Sequence, residues 1–61
     1  MKIKALKGKV IIVAQALRDV SGLDLTECAN IAQARIDLPE ECFDELCGQL
    51  GNPDLFFELV E

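Results

Sequence analysis

Sixty-one residues with 51% hydrophobic and 28% charged side chains describe one small globular domain, residues 1–61. The chain is too apolar for a disordered tail and too short to enclose a lidded, multi-residue active site. Its net charge of −5 hides a division: Lys2, Lys4, Lys7 and Lys9 fall in the first nine positions, and only Arg18 and Arg35 oppose the eleven carboxylates that follow. Such a surface repels phosphate polymers and anionic lipid, so nucleic acid and membrane are disfavoured as partners.

Met1–Leu6 alternates, with Met1, Ile3 and Ala5 on one side and Lys2, Lys4 and Leu6 on the other, the pattern of a half-buried strand. Lys7-Gly8 interrupts it. The β-branched run Val10-Ile11-Ile12-Val13 then admits two readings: a second strand of a tight hairpin over Lys9–Ala14, or the start of a helix. A helix is preferred, because Val10, Val13, Ala14, Leu17 and Val20 continue one apolar face past the β-branched residues. Gly22 stands where a left-handed C-cap is wanted. Asp24 and Glu27 form a capping-box spacing for a second helix, whose inner stripe is expected to be Leu25, Cys28, Ile31 and Ala32. Arg35–Leu38 is a short candidate strand, ended by Pro39. That proline suits the first turn of a third helix, with Glu40 and Glu41 favouring its positive end. Cys42, Phe43, Leu46, Cys47 and Leu50 make its apolar stripe, with Asp44, Glu45 and Gln49 outside, and Gly51-Asn52-Pro53 stops it. Asp54–Glu61 is the last strand, expected to be the best paired and central, with Lys2 and Lys4 across from Glu58 and Glu61 if it runs antiparallel to the first.

The order β-α-α-β-α-β implies an α+β fold: a two-layer sandwich, in which a small antiparallel sheet is covered on one face by three helices. The helical hairpin cannot bury its own apolar face, so both chain ends must supply the platform. Leu6, Phe56 and Val60 are expected on the outer sheet face, where they offer a surface for a homodimer or another partner.

Cys28, Cys42 and Cys47 are odd in number, no histidine accompanies them, and their spacings build no zinc site. They read as small buried hydrophobes in a reducing compartment, with an intermolecular disulfide or a redox role as the alternative. No phosphate loop, dinucleotide fingerprint or nucleophile-base pair is present, and the carboxylate pairs Glu40/Glu41 and Asp44/Glu45 sit on the outer face of a helix. The expectation is therefore a protein that is not an enzyme and takes no cofactor or metal. No leader is recognised: the apolar run Val10–Leu17 is interrupted by Gln15 and too short to span a bilayer, so a cytoplasmic location is expected.

Lys9-Val10, Ala16-Leu17-Arg18 and the turn Ser21-Gly22-Leu23-Asp24-Leu25-Thr26-Glu27-Cys28, with Glu40–Gly51 and Leu55–Glu61 beyond, resemble the C-terminal domain of the bacterial large-subunit ribosomal stalk protein. The sharpest part is Gly-Leu-x-Leu-x-Glu, and one extra residue is needed inside the first helix. The resemblance implies a stand-alone relative that binds a protein through the hairpin of residues 9–34, as that family recruits translational GTPases, or as adaptors of similar fold hold peptides. Arg18 matches the family's arginine, whereas Gln15, Thr26 and Ala29 stand where the family has lysines. The candidate contact is Gln15, Arg18, Asp19, Leu23, Asp24 and Thr26. A second hypothesis takes the acidic surface as an inhibitor of phage or mobile-element type, its carboxylates imitating nucleic-acid phosphates towards a host enzyme.

Overall fold

Described by a computed structural model over residues 1–60, the chain places β1 (Lys2–Ala5) and β2 (Phe57–Val60) side by side as a two-stranded antiparallel sheet. Between them run α1 (Val10–Ser21), α2 (Leu25–Ala32), α3 (Glu40–Leu50) and a single 3-10 turn, Pro53–Leu55. This is the α+β class, an antiparallel sheet with three helices. The register sets Lys2 opposite Val60, Ile3 opposite Leu59, Lys4 opposite Glu58 and Ala5 opposite Phe57. Lys4 thus faces Glu58 as expected, while Lys2 faces Val60; Glu61 lies outside the described residues.

The path follows from local chemistry. Ile3 is fully buried and Lys2 and Lys4 are exposed, so β1 turns one side to the helices and the other to water. Lys9 donates to the Leu6 carbonyl at 2.9 Å, closing a turn whose third residue, Gly8, has φ +80°, a type II position. The β-branched run is helical. Val13, Ala14 and Leu17 are buried on one face of α1, and Ala16 is nearly so. Burying that stripe outweighs the few tenths of a kcal/mol per residue by which Val and Ile disfavour a helix. At the far end Gly22 adopts φ +76° and donates to Arg18 at 3.0 Å, while Ser21 Oγ donates to the Leu17 carbonyl and accepts from the Leu23 amide. Asp24 caps α2, its Oδ1 accepting from the Glu27 amide at 2.9 Å.

The core lies between the inner sheet face and the helices. Ile3 and Phe57 from the sheet meet Val13, Leu17, Ile31 and Leu46, and Leu38 plugs it from the α2–α3 connection. Phe43 and Phe57 meet edge to face with centroids 6.3 Å apart. Among the described residues no polar or charged residue is buried.

Five expectations need correction. Arg35–Leu38 is not a strand. The chain leaves α2 through Ala34 at φ +62°, Gln33 makes one bridge to Lys4, and Leu38 donates to the Met1 carbonyl at 2.7 Å. Pro39, which has no N–H, follows at once and cannot extend a ladder. The order is therefore β-α-α-α-β. These contacts also make β1, not β2, the inner strand. The last strand is shorter than Asp54–Glu61, because Pro53 starts a 3-10 turn closed by the Phe56 amide on the Pro53 carbonyl at 2.9 Å. Leu25, the first residue of α2, is exposed, and the buried stripe of that helix begins at Cys28. Pro39 precedes the first turn of α3 rather than opening it, a difference of one residue.

Candidate functional site

The two helices of the hairpin, α1 and α2, leave a groove between their outer faces. On α1, Ile11, Ala14 and Arg18 recur at steps of three and four residues and share a side. Leu25 and Ala29, with Thr26, Asn30 and Gln33 next to them, look back from α2. Small side chains at Ala14 and Ala29 leave an open groove of about 330 Å³ between them. Ile11 forms one wall and is 62% exposed, and Leu25 forms another at 41%. Arg35 closes one end, its guanidinium donating over a long 3.5 Å to Asn30 Oδ1.

The structure separates the candidate contact residues. Thr26 lines the groove. Gln15 and Arg18 are exposed on α1, with Arg18 one turn beyond Ala14 on the groove-side stripe, and Asp19 is exposed beside them. Asp24 is exposed, but its carboxylate is committed to the α2 cap. Leu23 is half-buried against the core, and its carbonyl receives the Cys28 thiol at 3.8 Å. The main walls, Ile11, Leu25 and Arg35, were absent from the sequence candidates. Ile11 carried a signal, being a large aliphatic off the apolar stripe of α1; Arg35 carried none, because only the turn after α2 brings it there.

Two of the three thiols are held above their ordinary pKa. Burial pushes the Cys28 pKa up against the opposing Ser21 hydrogen bond, and burial with the neighbouring Asp44 and Asp54 carboxylates pushes up that of Cys47. All three cysteines are free thiols. Among the described residues no group of three or more metal-ligating side chains comes together. No helix of the described residues is long and apolar enough to cross a membrane. The carboxylates of α3, Glu40, Glu41, Asp44 and Glu45, are all exposed to water.

No protein-family model, curated protein or solved structure matches this chain. The likeness to the ribosomal stalk domain therefore rests on the residues quoted for it.

Proposed function

We propose that the chain is a non-enzymatic protein-binding module that receives its partner in the α1–α2 groove. The observation that carries this reading is the groove itself: exposed Ile11 and Leu25 frame a floor made by the small side chains of Ala14 and Ala29. Its occupant is a segment of another protein that presents one aliphatic or aromatic side chain beside a carboxylate. The charge argument is specific, because beyond Lys9 the chain has only two cations: Arg35 lines the groove, and Arg18 stands one turn beyond Ala14 on the same side of α1. The resemblance to the stalk domain supports the same hairpin as docking face. With Gln15, Thr26 and Ala29 in place of lysines, binding here leans on the apolar anchor more than on charge, and a translational GTPase is a weaker candidate than in that family.

Selection from a displayed random peptide library tests this. Enriched peptides should share a large apolar residue next to Asp or Glu, and their binding to the purified chain should be lost in Ile11→Asp and weakened in Arg35→Glu. Peptides that bind both variants as tightly as the wild type would place the contact elsewhere.

The second reading, an acidic inhibitor, is favoured by the four exposed carboxylates along one side of α3. Its signature would be partner binding that falls steeply with salt and disappears when Glu40, Glu41, Asp44 and Glu45 are neutralised together. Peptide binding in the groove would survive that change.

A further inference from the structure

The two edges of the sheet are finished differently. The outer side of β1 is occupied, by the Lys4–Gln33 bridge and by the Leu38 amide on the Met1 carbonyl. Among the described residues no such cover lies on β2. The Leu6 amide donates to the Phe56 carbonyl at 2.8 Å, so with the observed register the hydrogen-bonded pairs are Leu6–Phe56, Lys4–Glu58 and Lys2–Val60. Leu59 falls between those pairs, and its backbone N–H and C=O point away from β1. Among the described residues no backbone hydrogen bond reaches it from that side.

The side chain of Leu59 is a second, independent anomaly. It shares the inner sheet face with its cross-strand partner Ile3 and with Phe57, which are 0% and 4% exposed, yet it is itself 61% exposed. The helices do not reach over it. Edge strands are ordinarily protected by lysine, proline or a bulge. In β2 the only charged residue is Glu58, which points to the outer face across from Lys4.

We propose that β2 pairs with β2 of a second copy of this chain about a two-fold axis at Leu59. In this register each Leu59 donates its N–H to the other's carbonyl, and the two side chains cover one another on the inner face. Each Glu58 then stands opposite Val60 of the second copy, so no like charges face each other. The product is a four-stranded sheet ordered β1-β2-β2-β1, with both helix layers on one side and both hairpin grooves open. Two-fold closure fits because the other edge is blocked and head-to-tail addition has no second strand to use. The contact is short, so the dimer is weak and concentration-dependent. Each copy carries a net charge of −5, and screening this repulsion makes added salt favour the dimer.

Sedimentation equilibrium from micromolar to millimolar chain tests the pairing. The expected result is a monomer–dimer equilibrium that strengthens with salt, weakens by about tenfold or more in Leu59→Lys, where like charges would face each other, and is unchanged in Ile11→Ser. Hydrogen exchange on the wild type needs no variant: the Leu59 amide should slow as concentration rises. A monomer throughout, a dimer that survives Leu59→Lys or is lost in Ile11→Ser, assemblies larger than two, or a Leu59 amide indifferent to concentration would each overturn it. Because no residue of β2 lines the groove, failure here leaves the groove reading untouched, and the reverse also holds.

Discussion

Ala34 is the one described non-glycine residue with positive φ, at +62°. It occupies the C′ position of α2: the Arg35 amide donates to the Asn30 carbonyl at 3.0 Å and the Ala34 amide to the Ile31 carbonyl at 3.1 Å, the paired bonds of a Schellman exit. An alanine there bears about 1–2 kcal/mol of Cβ strain that glycine would not. Part of the gain from glycine is offset by its greater freedom in the unfolded chain. Ala34→Gly should therefore raise the unfolding free energy by about 0.5–1 kcal/mol, read from urea denaturation. At Cys28 the fold holds the thiol protonated above its ordinary value of 9.0. The unfolded chain loses that proton first, so stability falls as pH rises past 9.0, towards the higher folded-state pKa. The slope of stability against pH above that value should be shallower in Cys28→Ala, and alkylation of Cys28 at neutral pH should be slow until the chain unfolds.

Among the elements, the hairpin was the most readable. Gly22 and Asp24 sit where a helix must end and the next begin, and both perform those roles. Asp24→Ala should cost about 1 kcal/mol in denaturation experiments, and Asp24→Asn much less, since an amide oxygen can still accept from the Glu27 amide. Because that carboxylate serves the cap, loss of peptide binding in Asp24→Ala would reflect a frayed α2 more than a lost contact. The Arg35–Leu38 stretch shows the opposite case. It was expected to be a short strand, yet the turn at Ala34 and the proline at 39 leave the only bridge to Gln33 before it, while Leu38 is drawn into the core. A four-residue pattern is too short to outweigh the geometry of the helix ends on either side. β2 misled in a similar way, because its aromatic content reports the burial of Phe57 and not a place in the middle of the sheet.

For the whole molecule, stability rests on one layer of contact between a two-stranded sheet and three helices. A two-stranded sheet has little stability of its own in water and depends on what it packs against. Leu17 and Leu46 are both fully buried, and truncating either to alanine should cost about 2–5 kcal/mol. In so small a domain that is a large part of the total, so the thermal transition should drop sharply or vanish. Ile11→Ser, at an exposed position, should stay within about 0.5 kcal/mol of the wild type in the same melt. That contrast separates residues that hold the fold from those that frame the groove.

Patterns local in the chain were decided by the residues themselves. The apolar stripes of α1 and α3, the Gly22 and Asp24 caps, the alternation of β1 and the α+β class depend on spacings of two to four residues and on backbone preferences acting at short range. What only the tertiary structure decided depends on which segments meet. β1 is the inner strand because Gln33 and Leu38 return to it, Leu25 and Ile11 are exposed because α1 and α2 pack at Cys28 and Leu17 instead, and Arg35 borders the groove because Ala34 turns the chain. Each of these follows from competition among several apolar residues for one small core, and the losers of that competition define the surfaces this chain can offer.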